Sequence, residues 1–525
     1  MNNQFRYCCL GWRLPAILAF TLWLAGCSGS SPSPGGGGQP GNPVGSNLVQ
    51  ISSDGFTVAP GQHATEVEPH MLSNGTTLVA AFQVGRLPKS PGVGGGGTDI
   101  GWATSVDGGA TWTHGTLPGM TTGEGSGIYD AASDPAVAYD AKHGIWMIAS
   151  LPLSATLQVP AVVVSQSSDG VHWGNPIAAD ASAPSSDKNW IVCDSWPTSP
   201  HYGNCYLEWD DPINQDEIVM STSSDGGSTW GVPAVTSGAA NGIGGQPLVQ
   251  PNGNVIVPIE STVNPEMIAY QSTDGGASWT APVSISTIQY HADAGGIRSG
   301  PLPSAATDAT GTVWVVWEDC RFRNSCSTND LVYSTSSDGV NWSAVTRIPI
   351  DDTSSTVDHF IPGIGIDPLT SGATAHVALH YYYYSQSSCT VSTCQLFVGY
   401  LSSANGGSTW STPTTLTAAP MQLGWLPTSQ NGLMVGDYIA TSFVNGVPFG
   451  AFAVAQQTSG GDKGGTLTFS EAIYTGKGLS VKLAGQQLSS AHDKPLHKLS
   501  DKIEREVPEK GILPPLRRRA RRSAK

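Results

Sequence analysis

The chain has 525 residues, of which only 12% are charged, about half the fraction usual in soluble domains. Its 64 glycines and 37 prolines disfavour helical bundles and coiled coils and favour short strands joined by tight turns. The formal net charge is −16, and residues 27–487 alone hold 11 basic and 35 acidic groups. Because so few cations cannot neutralise a phosphate backbone, this part of the chain is not expected to bind nucleic acid.

Residues 1–26 are typical of a secretory signal peptide, with basic residues ahead of an apolar run and small residues behind it. The sequence Leu24-Ala25-Gly26-Cys27 resembles a bacterial lipobox, in which Cys27 receives lipid after cleavage. The alternative is an ordinary signal peptide that ends in a cysteine. Residues 27–46 are mostly Gly, Ser, Pro and Asn, the composition of a flexible tether. We therefore expect a lipid-anchored protein of the cell envelope, exposed to the periplasm or the cell exterior.

Six further cysteines form three close pairs that are separated by long gaps. In a secreted chain this spacing predicts three loop-closing disulfides. A zinc site is the alternative, but no pair is CxxC and no histidine stands at ligand spacing. The predicted disulfide cysteines are Cys193, Cys205, Cys320, Cys326, Cys389 and Cys394.

One motif occurs six times between residues 105 and 410, each time after an apolar strand. Its first copy is Ser105-Val106-Asp107-Gly108-Gly109-Ala110-Thr111-Trp112. The acidic or amide side chain can accept backbone hydrogen bonds, glycine supplies the positive φ of a tight turn, and tryptophan packs beneath the turn. A structural role is therefore expected for the central Asp or Asn of each copy, namely Asp107, Asp169, Asp225, Asp274, Asp338 and Asn405.

This motif resembles the Asp box, or bacterial neuraminidase repeat, of sialidase-like β-propellers, and the resemblance covers residues 47–475. It implies an all-β fold of four-stranded blades. Three strand-like runs after the last motif, joined by residues 47–52 as a fourth strand, would make one blade without a box. The count predicts seven blades, and six, as in the sialidases, is the alternative. Residues 476–525 are expected to lie outside the ring as a polar, basic, disordered tail, or as a patch for anionic polymers.

Arginine is scarce, with five residues between positions 47 and 487. Four of them map to the loop-rich face opposite the boxes, where their bidentate guanidinium groups suit a sugar carboxylate. The alternative is that Asp319 pairs with Arg321 and that the others are solvated loop charges. The four arginines and the acidic residues expected beside them are Arg86, Arg298, Arg321, Arg323, Glu208, Asp210, Asp211, Glu318 and Asp319.

The resemblance to sialidases implies an arginine triad, a tyrosine nucleophile assisted by Glu, and an Asp acid/base. The first arginine of that triad usually lies in a Phe/Tyr-Arg-Ile-Pro motif before the first box. The corresponding stretch here, Glu66-Val67-Glu68-Pro69-His70, contains no arginine. A rearranged catalytic set would therefore have to come from Arg298, Arg321, Arg323, Glu318 and Tyr438.

A separate pattern places acidic residues at the starts of the predicted first strands, where they would ring the mouth of the central channel. Convergent carboxylates suit Ca²⁺ or another hard cation. The alternative is that they cap strand ends, and no cofactor is required by either interpretation. The candidate metal ligands are Glu68, Asp134, Asp187 and Asp437.

Together these patterns favour a secreted, lipid-anchored, sialidase-like propeller that acts on or binds extracellular glycans or glycoproteins. One hypothesis is a retaining exo-glycosidase of the sialidase type. The other is a non-catalytic propeller that presents a rigid face to a glycan or protein, and the missing arginine motif favours it.

Overall fold

The computed structural model describes residues 41–88, 95–155, 158–181, 185–236, 238, 240–458 and 469–482. The predicted signal peptide, the predicted lipidation site Cys27 and most of the predicted C-terminal tail lie outside these residues. Within them the chain is all-β, as expected, with short 3-10 turns and no α-helix. No helix among the described residues is long and apolar enough to cross a membrane.

Antiparallel sheets of four strands follow one another along the described chain, and we number them sheets 1 to 7. Sheets 1 and 2 are also joined by one residue pair, Gly97 with Ala132. The strands of the first four sheets are Gln62–Asn74, Thr77–Arg86, Gly97–Ser105 and Thr113–Thr116 (sheet 1); Ala131–Asp140, Ile145–Leu153, Val162–Ser167 and Ile177–Asp180 (sheet 2); Asp187–Cys193, Cys205–Asp211, Glu217–Ser223 and Ala234–Val235 (sheet 3); and Leu248–Val249, Val255–Ser261, Glu266–Ser272 and Val283–Thr287, with Gly242–Ile243 on the same edge (sheet 4).

The last three sheets continue the pattern, except that sheet 7 takes its fourth strand from the amino-terminal side of the chain. Leu48–Gln50 pairs antiparallel with Glu471–Gly476, so residues far apart in sequence share one sheet. The strands are Ser304–Thr307, Val313–Asp319, Asp330–Ser336 and Thr346–Arg347 (sheet 5); Asp358–Ile366, Val377–Tyr384, Gln395–Ser403 and Thr414–Thr415, with Met421–Gln422 on the same edge (sheet 6); and Ala440–Val444, Val447–Ala455, Glu471–Gly476 and Leu48–Gln50 (sheet 7).

Small elements complete the described chain. A two-stranded ribbon, Thr428–Ser429 with Gly432–Leu433, precedes sheet 7. The 3-10 turns are Pro212–Asn214, Ala294–Gly296, Asn324–Cys326, Gly372–Thr374 and Leu423–Trp425.

The first strands of the seven sheets contact one another in chain order, and the first strand of sheet 7 contacts that of sheet 1. All seven line a single cavity of about 410 Å³, whose walls are mainly apolar and small side chains. The apolar core lies largely between neighbouring sheets; Val79 of sheet 1, for example, shares a buried cluster with Val137 and Trp146 of sheet 2. Each sheet therefore buries its two faces against its neighbours.

The repeated motif forms the turn between the third and fourth strands of sheets 1 to 6. In sheet 3, Asp225 Oδ1 accepts hydrogen bonds from Thr229 N (2.9 Å) and Ser223 Oγ (2.9 Å). Gly226 and Gly227 take φ values of +74° and +80°, which side chains rarely adopt. The indole Nε1 of Trp230 donates to Gly227 O at 3.2 Å. In this copy the motif thus satisfies these polar groups by itself and needs no ligand to do so.

The three predicted disulfides are confirmed: Cys193–Cys205, Cys320–Cys326 and Cys389–Cys394. The first joins the facing ends of two strands of sheet 3, and the other two close loops between the second and third strands of sheets 5 and 6. Because each bridge spans few residues, it stabilises its own loop rather than the relation between distant sheets.

Candidate functional site

The first strands of sheets 1, 2 and 3 share an irregularity. Their pairing slips beside Glu68, Asp134 and Lys188, and these three residues take φ values of +55°, +51° and +42°. A bulge of this kind leaves one residue unpaired and turns its side chain away from the ladder. As a result, three charged side chains from separate sheets point to one place.

That place is a cavity of about 1070 Å³, comparable to the largest ordinary ligand pockets. Its wall contains more carboxyl groups than cations, together with serines, Tyr290, Gln430 and several apolar side chains. Sheets 1 to 4, the segment that leads into sheet 5 and the segment that leads into sheet 7 all contribute to it. The charged residues of the wall are Glu68, Arg86, Asp134, Asp187, Lys188, Glu260, Arg298 and Asp437.

Lys188 lies at the centre of the acidic residues. Its Nζ is 3.2 Å from Glu68 Oε1, 3.1 Å from Asp134 Oδ1 and in contact with Asp437 Oδ2. Its side chain is only 6% exposed, and the Nζ also lies 5.8 Å from the ring centre of Tyr438. One ammonium group therefore connects three carboxylates from three parts of the chain.

The four predicted metal ligands thus line the same cavity, and three of them contact Lys188. The fourth, Asp187, accepts a hydrogen bond from the backbone N of Lys188 at 3.0 Å. The positive charge among these carboxylates comes from the Lys188 side chain, which the sequence pattern did not take into account. A role for them in binding Ca²⁺ remains a prediction.

Arg298 makes a bidentate pair with Asp437. Its Nε donates to Asp437 Oδ1 at 2.6 Å and its Nη2 donates to Oδ2. Burial by itself would raise the pKa of Asp437, but Arg298 and Lys188 together hold it well below its usual range. Asp437 therefore stays ionised, and both cations keep a fixed position.

Arg86 is the exception among the cations of the cavity, because it makes no ion pair with any described residue. It is 2% exposed, its Nη1 donates to Gln83 Oε1 at 2.6 Å, and its Nη2 lies 3.5 Å from Gln430 Oε1. Its Nε has no hydrogen-bond partner among the described residues. Burial lowers the pKa of Arg86, since nearby carboxylates compensate its charge only at longer range.

Three carboxyl groups of the wall hold a proton more tightly than usual. Burial raises the pKa of Glu68 to about 7, with Lys188 opposing it, and that of Asp187 to about 6. Burial also raises the pKa of Glu260 to about 7, and no charged group contributes to that shift. An ionised Asp437 beside proton-carrying carboxyl groups is the separation of roles that acid/base chemistry uses.

Two of the predicted catalytic arginines lie outside the cavity, each in its own ion-pair network. Arg321 Nε and Nη2 contact the two carboxylate oxygens of Asp319 at 2.8 and 2.7 Å. Arg323 is buried and bonds Asp330 Oδ1 at 2.5 Å and Asp351 Oδ1 at 2.6 Å. The structure therefore does not bring them together with Arg298.

Glu318 and Tyr438 are both buried and partnered by backbone. Glu318 Oε2 accepts from Ile361 N at 3.3 Å, and burial raises its pKa well above the usual range. The Tyr438 hydroxyl donates to Pro135 O at 3.1 Å, and its ring packs edge-on against Trp190. Burial raises the pKa of Tyr438, so its oxygen is both occupied and protonated. Neither residue lines the cavity wall.

Glu260 was not a candidate in the sequence, although a signal for it exists. It stands near the end of the second strand of sheet 4, as Glu318 does in sheet 5, just before the loop to the third strand. Arg86 was noted among the four arginines but was not chosen. It ends the second strand of sheet 1, so it too lies shortly before the loop to the third strand.

Comparisons with known proteins give similarity at the level of structure. No family model and no curated protein sequence matches the chain. A Hadza microbial sialidase is 14% identical with a TM-score of 0.40, over 78% of this chain and 65% of that protein. The NanB sialidase of Streptococcus pneumoniae is 15% identical with a TM-score of 0.39, over 78% of this chain and 68% of that one.

A polysaccharide lyase, an ulvan lyase solved with a bound saccharide, is 12% identical with a TM-score of 0.46. That match covers 83% of this chain and 96% of the lyase. This chain spans slightly less than two thirds of the length of the Hadza sialidase. At these identities the similarity concerns the fold alone, and no residue role is taken from it. In fold, the chain is similar to sialidases and to a polysaccharide lyase.

Proposed function

We propose that the seven sheets are the blades of a closed β-propeller, with Leu48–Gln50 closing the ring. The cyclic order of contacts among the first strands supports this, as does the apolar channel that all seven of them line. In such a fold ligands bind at the mouth of the channel, where loops and strand ends from several blades meet. The 1070 Å³ cavity is built in this way, since loops and strand ends from most of the blades contribute to its wall.

We propose that this cavity binds acidic glycans of the cell exterior, with the protein held at the envelope by lipid on Cys27. The observation that carries the proposal is Arg86, a buried guanidinium that faces a ligand-sized polar cavity without an anionic partner in contact. A buried cation in this state gains from a bound anion, and a guanidinium suits the planar carboxylate of a sugar acid. Arg298 is less available because Asp437 already holds it.

The cavity also supports chemistry on a bound glycan. Glu260 lines the wall, its side chain makes no hydrogen bond with any other described residue, and burial raises its pKa to about 7. A group of this kind can give a proton to a leaving oxygen or take one from a reacting carbon or water. We propose Glu260 as the acid/base residue of a glycan-cleaving enzyme, with the ionised Asp437 as a fixed negative charge elsewhere in the wall of the same cavity.

A non-catalytic glycan-binding propeller is the second candidate. The observation in its favour is that most of the cations of the site are already engaged by protein groups, and that the hydroxyl of Tyr438, which lies outside the wall, is bound to Pro135 O. In that case the cavity would bind an acidic glycan without cleaving it.

The test uses the full chain after signal removal and four variants. Binding of sialosides and uronate-containing polysaccharides is measured by calorimetry, and cleavage by fluorogenic sialosides and by the appearance of new chain ends. We expect R86Q to weaken binding about 10- to 100-fold. R86K keeps the positive charge but not the two parallel donors of the guanidinium group, so its affinity should lie between those of R86Q and the unchanged protein. We expect E260Q to bind normally and to lose about 100-fold or more in turnover.

R321Q is the matched control, because Arg321 is paired outside the cavity, and it should change neither quantity. If no acidic glycan binds, or if R86Q binds as well as the unchanged protein, the binding proposal fails. If glycans bind but nothing is cleaved, the second candidate holds.

A further inference from the structure

We propose that Asp330, Asp351 and His359 bind a divalent transition-metal ion, at a site separate from the glycan cavity. One potential ligand atom of each residue lies within 4.8 Å of the other two. Asp330 begins the third strand of sheet 5, Asp351 follows its fourth strand, and His359 lies in the first strand of sheet 6. None of the three lines the glycan cavity, so this inference does not depend on the proposed function.

Two carboxylate oxygens at this site have no hydrogen-bond donor among the described residues, and an imidazole nitrogen lies near one of them. Asp330 Oδ2 and Asp351 Oδ2 are buried and have no hydrogen-bond partner among the described residues. His359 Nε2 lies 3.9 Å from Asp351 Oδ2, beyond hydrogen-bond distance. Its Nδ1 lies 3.3 Å from Asn329 O. Because that carbonyl can only accept, the ring proton belongs on Nδ1, which leaves a lone pair on Nε2.

Buried acceptors in this arrangement repel one another unless a cation or a donor lies between them. His359 is 1% exposed, and it adds a potential ligand that is not acidic to the two carboxylates. A backbone carbonyl on the far side of the imidazole is the usual second partner of a metal-bound histidine, because it fixes the tautomer and the orientation of the ring. The geometry therefore has both the ligand atoms and the support for them.

The other carboxylate oxygens are held by two arginines. Arg323 Nη2 lies 2.5 Å from Asp330 Oδ1 and 2.6 Å from Asp351 Oδ1. Arg347 Nη2 lies 2.8 and 2.7 Å from the same two atoms. These bonds fix the carboxylates with their Oδ2 atoms free for a ligand, as outer partners do in metal sites. They also offset the carboxylate charge, so we expect micromolar affinity rather than the tighter binding of a fully acidic site.

The ligand types select among metals. One imidazole nitrogen with two carboxylate oxygens favours Zn²⁺ or Mn²⁺, whereas Ca²⁺ and Mg²⁺ prefer oxygen ligands alone. The side chain of Asp351 is 19% exposed, which leaves a side open for a water ligand. A metal here would connect sheet 5 to sheet 6 beside the loop closed by Cys320–Cys326.

The experiment uses the full chain after signal removal, stripped with a chelator and titrated with Zn²⁺, Mn²⁺ or Ca²⁺ in a calorimeter. We expect one saturable Zn²⁺ site of micromolar affinity that D351N and H359Q each lose, and a rise in melting temperature with Zn²⁺ in the unchanged protein but not in these two variants. H376Q is the matched control, because His376 lies 3.6 Å from Asp367 in a more exposed pair, and it should keep the site.

Co²⁺ provides a readout that needs no variant. Bound at this site it should show the strong visible absorption of a low-coordinate ion with nitrogen and oxygen ligands, and Zn²⁺ should abolish that absorption. This settles the question even if D351N or H359Q fails to fold. Absence of a saturable site at micromolar Zn²⁺, a weak absorption unchanged from free Co²⁺, or an unaltered stoichiometry in a folded H359Q would overturn the proposal. A water molecule would then fill the space between the acceptors.

Discussion

At the scale of the residue, the site is organised by one lysine. Lys188 is buried, and its ammonium group contacts carboxylates from sheet 1, from sheet 2 and from the segment before sheet 7. Burial would lower the pKa of Lys188, but these three carboxylates raise it well above the usual range. Lys188 therefore remains charged at any ordinary pH, and the carboxylates around it depend on that charge.

The lysine can be tested by replacement with a side chain of similar length and no charge. We expect K188M to lower the free energy of unfolding by about 3–5 kcal/mol, because it leaves buried carboxylates without their partner. Chemical denaturation at pH 7 measures the change. K142M is the control, since Lys142 is exposed and makes no ion pair among the described residues. A loss no larger in K188M than in K142M would contradict this account.

At the scale of the element, the box hairpins depend on hydrogen bonds that an amide can reproduce. Asp225 accepts from Thr229 N and from Thr229 Oγ1, at 2.9 and 2.6 Å. In the sixth copy, Asn405 Oδ1 accepts from Thr409 N at 2.9 Å and its Nδ2 donates to Thr409 Oγ1 at 2.8 Å. The hydroxyl can reverse its role, so the turn keeps the same bonds with either residue.

Because Asp and Asn make the same bonds in this turn, an Asn variant of Asp225 serves as the control for an Ala variant. We expect D225A to lower the free energy of unfolding by about 1–2 kcal/mol, because three turn donors lose their acceptor. D225N should lower the free energy of unfolding by only a small fraction of that amount, since Asn405 occupies the equivalent position in the sixth copy. Thermal and urea unfolding of the two variants decide the matter, and equal losses in both would show that the negative charge is what matters.

At the scale of the whole molecule, the join between the amino-terminal strand and sheet 7 contains buried acids. Ser52 Oγ donates to Glu66 Oε2, and Ile473 N donates to Ser52 Oγ at 2.8 Å. Burial raises the pKa of Glu66 to about 8 and that of Glu471 well above its usual range. Both groups are therefore protonated at neutral pH, at the place where the two ends of the described chain meet.

The pH dependence of stability follows from this. An unfolded Glu titrates near pH 4.3, whereas folded Glu66 keeps its proton to about pH 8. Between these values the folded state binds the extra proton, so Glu66 makes the free energy of unfolding fall as the pH rises. E66Q removes that contribution, and we expect it to be more stable than the unchanged protein at pH 8, with a smaller difference at pH 5.

Denaturation series from pH 5 to pH 9 measure this difference. Buried acids distant from Glu66 affect both proteins equally and cancel in the comparison, whereas Glu471 interacts with Glu66 and contributes to the difference. E217Q is the control, because Glu217 is partly exposed in sheet 3, and its curve should run parallel to that of the unchanged protein. A pH-independent gap between E66Q and the unchanged protein would contradict the shifted titration of Glu66.

Several features of the fold were predictable because they depend on residues that are close in sequence. The box turns take their conformation from one or two glycines and an Asp or Asn within eight residues, and the cysteine pairs stand 5 to 12 residues apart. The strands were predictable as well, because each alternates with turn residues over a short span. Such local signals can be read without knowing the packing.

The site required more than local signals. The acidic pattern at the first strands pointed to Glu68, Asp134, Asp187 and Asp437 as metal ligands. In the structure they line one cavity, and a lysine next to Asp187 in the chain contacts three of them. In the sequence, Arg321 and Arg323 were candidates of the same kind as Arg298. In the structure Arg321 pairs with Asp319, and Arg323 pairs with Asp330 and Asp351.

The sequence by itself thus determined an all-β chain of repeated hairpins with three local disulfides. Only the tertiary structure decided which charges meet in the cavity, which arginine is left without an anion in contact, and which three acceptors converge beside sheet 6. The reason is physical: hydrogen bonds within a turn depend on neighbouring residues. The partner of a buried charge depends instead on how bulged strands from distant parts of the chain pack together.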